Sequence, residues 1–406
     1  MNRLSLLCLI ALLISSCSNT KQKASELENQ SIKSIDSPAS ARSSLPFLST
    51  NAKSDVYLSW VEAIEGGTHQ LKYSKLNGEQ WSAPQVIASG NNWFVNWADF
   101  PSVISNGNSG MIAHFLAKSG EGKYAYDVRL TQATGDGSEW ENSFKVHDDQ
   151  TASEHGFVTI LPWEDDFFVT WLDGRNTVNE PREPMSIRTA SIGQDGTKQD
   201  EKALDLRVCD CCQTSAAITT QGPIVVYRDR SEEEIRDLSI VRYENGEWTE
   251  PEPVHQDGWE INGCPVNGPK ADAIDNHLAV AWFTAANGEP KVKLAFSDDS
   301  GQRFESPIQV NQGITLGRVD LAMIDPQNAL ISWLETADST AVIKAVRIDK
   351  SGQRGQTIDV ATTSPARSSG FPQMTISVEK VIFAWTEVQE ESTQVRTAWV
   401  DLKEFN

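Results

Sequence analysis

The sequence predicts an all-β fold, a seven-bladed β-propeller with four antiparallel strands in each blade, with a six-bladed ring as the alternative. Three observations support this prediction. One strand pattern recurs seven times, short strand-like segments flank each copy, and no helical pattern of useful length competes. Four strands per unit at a repeat of about 55 residues is typical of a propeller blade.

The repeating unit is an apolar strand that ends in an aromatic residue and is followed by a polar or acidic turn, as in VYLSWVEA and FFVTWLDG. Consecutive aromatic residues lie 51 to 56 positions apart, and a series this regular indicates seven structural repeats. These aromatic anchors are Trp60, Phe115, Trp171, Tyr227, Trp282, Trp333 and Trp385.

The segments around each anchor complete the blade. A short apolar strand precedes the anchor strand, and an alternating strand follows it. Most repeats then carry a glycine turn, in which Asn-Gly or Asp-Gly supplies the positive φ that a hairpin needs. The last repeat stops after its third strand, so we expect residues near Ser43–Ser49 to supply the fourth strand and close the ring.

The N-terminus reads MNRLSLLCLIALLISSCSNT, with one arginine, an apolar run and small residues before Cys17. This pattern is typical of a secretory signal and is too short to span a bilayer. The ISSC stretch resembles the lipobox of bacterial lipoproteins. The resemblance implies a signal peptide over residues 1–16, acylation such as palmitate on Cys17, and anchoring in the cell envelope. A plain cleaved signal is the alternative.

Three further predictions follow from the N-terminal part of the sequence. Residues 17–42 are polar and predict a flexible tether, which leaves 43–406 as the propeller domain. Ser18 stands where an inner-membrane retention signal would have Asp, so the lipoprotein resemblance implies the outer membrane. Membrane contact is expected through the N-terminal lipid only, because no other apolar run approaches membrane length.

The charge balance restricts the possible partners. The chain has a formal net charge of −21, from 56 acidic and 35 basic residues. A surface this acidic repels phosphate backbones, so nucleic acid is excluded as an expected partner. The protein is expected to be a monomer.

One turn carries a family resemblance. The segment SDDSGQRF places Ser297, Asp299, Gly301 and Phe304 in a pattern that resembles the Asp-box, S-x-D-x-G-x-x-W, of bacterial sialidases. The sequence is therefore identified as sialidase-like. In that family the boxes lie on the face away from the ligand, so the resemblance implies a folding element rather than a binding site.

Four cysteines fall in the predicted domain. Cys209 and Cys264 each lie 18 residues before their anchors, so they hold equivalent places in neighbouring blades. We predict a disulfide Cys209–Cys264 that joins blades four and five, with Cys211 and Cys212 either free or in a vicinal disulfide. One alternative is a copper or zinc site built from Cys211 and Cys212 with His155 nearby. Another is a vicinal disulfide stacked on a cofactor, as quinone-dependent alcohol dehydrogenases have.

The ligand is predicted to bind on the face where the inner strands begin. Arginines suit a carboxylate ligand, because a guanidinium group binds carboxylate in a bidentate manner. The predicted ligand-binding residues are Arg175, Arg230, Arg318, Arg367, Trp97 and Asp99. The candidate catalytic residues are Asp173, Asp229 and His155. For the two aspartates, pairing with Arg175 and Arg228 is the alternative to an acid's role.

The sialidase resemblance implies an enzyme or receptor for acidic glycans, with three clamping arginines, a tyrosine nucleophile paired with glutamate, and an aspartic acid donor. The family's Arg-Ile-Pro signature is absent, and Tyr227 occupies a core anchor position. Two other functions remain open. One is a metal or thiol-redox protein of the envelope centred on the cysteines, and the other is a non-catalytic interaction scaffold.

Overall fold

Seven antiparallel sheets surround a shared cavity in the computed structural model, which describes residues 31–108, 110–135, 137, 139–179, 182–390 and 392–406. The seven-bladed propeller with four-stranded blades is thus confirmed, and the six-bladed alternative is wrong. The predicted signal peptide and the lipid site at Cys17 lie outside the described residues. Within those residues, no helix has the length and apolarity needed to cross a membrane.

The first four blades each begin at the cavity and add strands outward in chain order. Blade one contains β2 (Ser43–Thr50), β3 (Val56–Ala63) and β4 (His69–Asn77), with β5 (Gln80–Trp81) and β6 (Gln85–Gly90) both paired to β4. Blade two contains β7 (Ser102–Ser105), β8 (Gly110–Lys118), β9 (Tyr126–Thr134) and β10 (Phe144–Lys145). Blade three contains β11 (His155–Trp163), β12 (Asp166–Asp173), β13 (Met185–Ile192) and β14 (Lys198–Val208). Blade four contains β15 (Ser215–Thr219), β16 (Gly222–Arg228), β17 (Leu238–Glu244), β18 (Glu247–Trp248) and β19 (Glu252–His255).

The last three blades also begin at the cavity. Blade five contains β20 (Lys270–Ile274), β21 (His277–Thr284), β22 (Lys291–Ser297) and β23 (Ile308–Gln309). Blade six contains β24 (Thr315–Asp325), β25 (Asn328–Ala337), β26 (Thr340–Asp349) and β27 (Ile358–Thr363). Blade seven contains β28 (Gln373–Ser377), β29 (Lys380–Val388), β30 (Thr393–Asp401) and, outermost, β1 (Lys33–Ile35). In the described part of the chain, four short 3-10 helices lie at Glu65–Gly67, Ala286–Gly288, Arg367–Ser369 and Leu402–Phe405.

The apolar core is divided among the blade interfaces. Seven clusters of buried residues each lie mainly between two neighbouring blades, including the pair formed by blades seven and one. Each sheet is therefore covered on both faces by its neighbours. This explains why the anchor strands are continuous apolar runs rather than alternating ones.

The ring closes through β1, which pairs antiparallel with β30 in the register Lys33↔Trp399 and Ile35↔Thr397. The predicted closing segment near Ser43–Ser49 is wrong, because it lies in β2, which pairs with β3 and lines the cavity. Ile35 is buried, and the Lys33 ammonium lies 4.1 Å from the Trp399 ring centroid. β1 therefore lies within the segment that the sequence predicts to be a tether.

Hydrogen bonds join neighbouring inner strands around the cavity. The Asp272 carboxylate accepts from the Met323 backbone N–H at 2.7 Å, and the Asp320 carboxylate accepts from the Met374 N–H at 2.7 Å. The hydroxyls of Thr50 and Thr375 lie 2.7 Å apart across the seam between blades one and seven. These bonds hold the inner strands at fixed spacing, so the loops at their ends have defined positions.

The turn that resembles an Asp-box lies between β22 and β23, where the sequence places it. The Ser297 hydroxyl donates to Asp299 at 2.8 Å, and the Gly301 N–H donates to Ser297 at 2.9 Å. Gly301 has a φ of +85°, a conformation that disfavours residues with a side chain. Phe304 packs against the cluster between blades four and five. The turn acts as a local fold element on the outer part of its blade.

Candidate functional site

Most carboxylates that follow the aromatic anchors have a structural role that recurs from blade to blade, rather than a role in ligand binding. The inner strands begin and the second strands end on one face of the propeller, which we call the mouth face. In three blades the anchor indole donates to the carboxylate two residues later. These pairs are Trp60–Glu62 at 3.2 Å, Trp171–Asp173 at 2.9 Å and Trp333–Glu335 at 3.1 Å. A buried indole N–H needs an acceptor, and these carboxylates supply it.

A basic side chain accompanies each of these carboxylates. Lys72 lies 2.9 Å from Glu62, Arg175 lies 2.8 Å from Asp173, and Lys344 lies 4.0 Å from Glu335. In blade five the residue two after the anchor is Thr284, and Asp257 from the preceding loop accepts from the Trp282 indole at 2.7 Å instead. The unit of aromatic anchor, carboxylate and cation is therefore retained even where the sequence motif is lost.

Asp173 and Arg175 lie in a buried ionic cluster of blade three. Two guanidinium N–H groups of Arg175 donate to the Asp173 carboxylate, each at 2.8 Å, and one also donates to Glu201 at 3.1 Å. Burial raises the pKa of Asp173, but the Arg175 hydrogen bond and His155 outweigh it and hold the pKa below its ordinary value. Four of the five Arg175 N–H donors therefore bind acids of this cluster.

His155 belongs to the same cluster. It is fully buried, its Nε2 lies 3.1 Å from Asp149 and 3.7 Å from Asp173, and its ring stacks on His147 at 3.7 Å. Burial lowers the pKa of His155, but hydrogen bonding to Asp149 and the charge of Asp173 raise it above the ordinary value overall. Among the described residues, three groups of side chains are close enough to share a metal ion. His155 belongs to two of them, together with carboxylates and, in one, His147, and the third contains only cysteines. The predicted site that joins His155 to Cys211 and Cys212 is therefore not assembled.

Two other predicted residues, Asp229 and Arg230, lie in the turn after β16. The Asp229 carboxylate accepts from the Ser239 hydroxyl at 2.9 Å and from the Arg230 N–H at 2.6 Å. It forms no ion pair with Arg228, whose guanidinium donates to the carbonyls of Asn267 and Phe283. Arg230 pairs with Glu234 at 2.7 Å and with Asp210 at 3.3 Å. Burial raises the pKa of Asp229 above its ordinary value.

Arg318, Arg367, Trp97 and Phe371 form what we call the cation–aromatic cluster, on the mouth face of blades two, six and seven. The guanidinium carbons of Arg318 and Arg367 lie 5.1 and 5.8 Å from the Trp97 ring, which stacks on Phe371 at 5.7 Å. Arg318 is buried and donates to the Ser369 hydroxyl at 2.7 Å and the Gly370 carbonyl at 2.8 Å. Arg367 is exposed.

This cluster lacks a counter-charge. No acidic side chain among the described residues forms an ion pair with Arg318 or Arg367. Burial, together with the charge of Arg367, lowers the pKa of Arg318 to about 10. Arg318 still carries its charge at neutral pH, so the two arginines are a local excess of positive charge in an acidic protein.

Four free cysteines, Cys209, Cys211, Cys212 and Cys264, converge on the mouth face of blades four and five, and we call them the thiol cluster. The Cys209 sulfur lies 3.6 Å from that of Cys212 and 3.9 Å from that of Cys211. Cys264 is exposed, and Cys211 is the neighbour that most lowers its pKa. The predicted disulfide Cys209–Cys264 is not formed in this structure, in which no two of these sulfurs lie at bonding distance and the Cys209 sulfur lies against Cys211 and Cys212.

Neighbouring groups fix the position of the thiol cluster. The Cys209 N–H donates to the Arg228 carbonyl at 3.0 Å, and the Arg236 guanidinium lies 3.1 Å from the Cys209 sulfur. Gln213 donates to the Ala98 carbonyl at 2.6 Å and accepts from the Gly268 N–H at 2.9 Å. A Cβ on Gly268 would lie 2.1 Å from the Gln213 carbonyl oxygen, so only glycine allows this close approach.

The surroundings also change the acidity of the thiols. Hydrogen bonds with Cys211 and Cys212 outweigh burial and, with a contribution from Arg236, lower the pKa of Cys209 well below its ordinary value. The hydrogen bond with Cys211 lowers the pKa of Cys264 to about 7. Cys209 therefore favours the thiolate form, which is the nucleophilic and metal-binding form of cysteine, whereas hydrogen bonding with Cys209 raises the pKa of Cys211 and burial raises that of Cys212.

A buried acid bridge, which the sequence did not predict, lies beside the thiol cluster. The Tyr126 hydroxyl contacts the Glu154 carboxyl at 2.8 Å and the Asp99 carboxyl at 3.2 Å, and Asp99 also accepts from the Phe157 N–H at 2.8 Å. Burial raises the pKa of Asp99 to about 8 and that of Glu154 to about 7. One tyrosine proton cannot serve both carboxyls, so both contacts are hydrogen bonds only when one carboxyl is protonated.

The sequence carries only a partial signal for these clusters. Its repeat offset predicts Asp99 as a ligand residue, but Tyr126 and Glu154 come from other segments and belong to no motif. The predicted arginine clamp does not assemble as one unit: Arg318 and Arg367 share Trp97, whereas Arg230 pairs with acids in blade four. A search for arginines without nearby acids would have selected Arg367.

Comparison with known proteins identifies a fold but no family. No family model matches the chain, and no curated protein matches its sequence. A solved protein of unknown function from Dyadobacter fermentans is 10% identical, with a TM-score of 0.52 over 91% of this chain and 97% of that one. The polysaccharide lyase Uly1 is 11% identical, with a TM-score of 0.52 over 87% and 89%. A mutant of NanB sialidase from Streptococcus pneumoniae is 12% identical, with a TM-score of 0.45 over 90% and 69%. At such low identity the likeness concerns the fold alone.

Proposed function

We propose that the protein binds an anionic ligand, a carbohydrate that carries a carboxylate group, at the cation–aromatic cluster. The observation that carries this proposal is the pair of neighbouring guanidinium groups, Arg318 and Arg367, without an acidic partner among the described residues. A ligand carboxylate would supply the missing charge. Guanidinium groups bind carboxylates through paired N–H donors, which gives both energy and orientation.

The two arginines have different parts in this proposal. Arg318 is held by backbone carbonyls and the Ser369 hydroxyl, so it supplies a fixed charge beneath the site. Arg367 is exposed and forms no side-chain hydrogen bond to the described residues, so its donors are available to the ligand. Trp97 holds both guanidinium groups by cation–π contacts and keeps them adjacent.

The proposal is binding rather than glycoside cleavage. Most glycoside hydrolases place a pair of carboxyl groups beside the scissile bond, and sialidases, which use a tyrosine nucleophile, also need an acid there. The predicted acids are engaged elsewhere: Asp173 by Arg175 and Trp171, and Asp229 by Ser239. Neither contacts a residue of the cation–aromatic cluster in the described structure.

The test is a calorimetric titration of the purified full chain with sialyllactose and with oligogalacturonate, using lactose as the neutral control. We expect binding of at least one acidic sugar, no binding of lactose, and weaker binding at higher salt. Arg367→Ala should weaken binding by about tenfold or more, because a hydrogen bond to a charged group contributes about 1.5–3 kcal/mol.

Arg303→Ala is the matched control, because Arg303 is an exposed arginine in the turn between β22 and β23. It should leave the affinity unchanged. Absence of binding to every acidic sugar tested, or equal losses in the two variants, would refute the proposal.

Lipid anchoring is a separate proposal that rests on the ISSC stretch before Cys17. Acylation there would hold the propeller at the cell envelope through several acyl chains. Cells labelled with a palmitate analogue should incorporate it into the wild type and not into Cys17→Ser. Labelling that persists in the variant would exclude this site.

A further inference from the structure

The thiol cluster is the strongest concentration of metal-binding groups outside the proposed ligand site. The sulfurs of Cys209, Cys211 and Cys212 all lie within 4.8 Å of one another. Cys209 and Cys212 are buried, Cys211 is half-buried, and Cys264 is exposed. The cluster thus runs from solvent at Cys264, through Cys211, to a buried pair.

The sulfur separations fit a metal thiolate better than a disulfide. Tetrahedral ligands at the zinc–sulfur distance of about 2.3 Å lie about 3.8 Å from each other. The two separations from Cys209, 3.6 and 3.9 Å, bracket that value. A disulfide has a sulfur–sulfur bond of about 2.05 Å, so forming one would require an approach of roughly 1.5 Å. A metal ion could therefore enter with little movement of the backbone.

We infer that the thiol cluster binds one thiophilic d10 metal ion, and that copper(I) is the ion it fits best. Thiolate ligands are soft and select copper(I) and zinc over harder ions. The C-x-C-C spacing differs from the C-x2–4-C spacing of structural zinc sites, which favours copper. Cys209, Cys211 and Cys212 are the ligands, and Cys264 is the thiol that an arriving ion meets first.

The charges around the cluster support the same ion. Three thiolates around one copper(I) ion carry a net charge of −2. Arg236 lies 3.1 Å from the Cys209 sulfur, and the charge of Arg228 acts on Cys212. These two arginines would offset the excess negative charge of the complex. Arg236 is itself held by Glu234, so it is a positioning residue for the Cys209 ligand.

The test uses the full chain, reduced and handled without oxygen. It is titrated with copper(I) in competition with a chromogenic copper(I) chelator, and in parallel with zinc in competition with a zinc dye. We expect one equivalent of copper(I), ultraviolet charge-transfer absorption, and weaker zinc binding. Failure to compete for either metal would overturn the proposal, and preferred binding of zinc would overturn the assignment to copper.

Alkylation of the wild type keeps the test independent of mutant folding. Iodoacetamide labelling followed by mass spectrometry should show that copper protects Cys211, the half-buried ligand, while the exposed Cys264 is still labelled. Labelling of Cys211 that copper leaves unchanged would overturn the proposal. Arginine variants at the carbohydrate site should not alter copper binding, so failure of one proposal is distinguishable from failure of the other.

Variants then assign the ligands. Cys209→Ser and Cys212→Ser should each lower the copper affinity at least about 100-fold. Losing an outer-sphere partner costs up to that much, and losing a ligand should cost no less. Arg236→Gln should lose about tenfold. Cys264→Ser is the matched thiol control and should retain the stoichiometry and near-normal affinity. Equal losses in all four variants, with unchanged circular dichroism and thermal midpoint, would overturn the ligand assignment.

Discussion

Two sets of buried carboxyl groups on the mouth face differ in whether a cation accompanies them. Asp173 in blade three accepts from Trp171 and pairs with Arg175, and its pKa lies below the ordinary value. In the part of the chain that the structure describes, no cation forms an ion pair with Asp99 or Glu154 of the acid bridge; Tyr126 contacts both, and burial raises their pKa values. The difference teaches that burial alone does not set the charge of an acid in this fold. The companion cation decides whether the group is structural and ionised, or protonated.

The largest expected effect is on the free energy of unfolding, and it concerns the tryptophan anchors whose indoles donate to the carboxylates that have a companion cation. Trp333 is buried and donates to Glu335, so Trp333→Ala should cost about 3–5 kcal/mol through the cavity and the lost packing. Trp385→Ala is the matched control, because that anchor is half-buried. Urea unfolding followed by tryptophan fluorescence measures both. A cost for Trp385→Ala as large as that for Trp333→Ala would show that burial does not distinguish the anchors.

The next prediction compares the stability cost of removing a carboxylate that pairs with a cation and one that does not. Asp173→Asn removes the fully buried carboxylate of the Asp173–Arg175 pair, while Arg175 keeps Glu201, and should cost about 3 kcal/mol. Asp229→Asn removes no ion pair and should change the free energy of unfolding by less than about 0.5 kcal/mol. The same unfolding experiment measures both variants. Equal costs would mean that the Asp173–Arg175 pair contributes nothing specific to stability.

The smallest effect is a pH dependence that arises in the acid bridge. Asp99 and Glu154 have folded-state pKa values of about 8 and about 7, above their unfolded values near 4. The folded state therefore binds more protons between those limits, and the free energy of unfolding should fall as pH rises from 5 to 8. Asp99→Asn should flatten this slope by at most about 1.4 kcal/mol per pH unit, the value for one proton.

Asp195→Asn is the matched control for the pH experiment. Asp195 is exposed, and the Thr197 N–H lowers its pKa, so its titration lies below the window measured. The slope between pH 5 and 8 should stay at the wild-type value in this variant. A wild-type stability that rises over the same window would contradict the protonated state of the acid bridge.

The repeat made the fold predictable, whereas the closing strand could not be found from sequence. Each anchor strand carries its own apolar run, so its existence does not depend on distant residues. Lys33–Ile35 has three residues in a polar segment, and it is a strand only because β30 offers a free edge. The longer segment at Ser43–Ser49 is the more strand-like of the two, yet its own repeat uses it as the inner strand of blade one.

Sequence places the candidate residues near the mouth but could not pair them. The equal offsets of Cys209 and Cys264 locate both correctly at the start of inner strands. Which sulfurs meet depends on side-chain direction within the loop, and there the Cys209 sulfur lies 3.6 Å from that of Cys212. For the same reason Arg230 could not be separated from Arg367, since Glu234 and Asp210, which neutralise Arg230, belong to local turns.

The three-residue strand β1 gives the ring a mechanical property. Tension applied at Lys33 acts first on the pairing of β1 with β30, which also holds the Lys33 ammonium over the Trp399 ring. Loss of β1 would expose the edge of β30 while the inner strands of blades one and seven stay joined through Thr50 and Thr375. Under load the propeller would therefore release β1 from blade seven before the contacts between blades one and seven break.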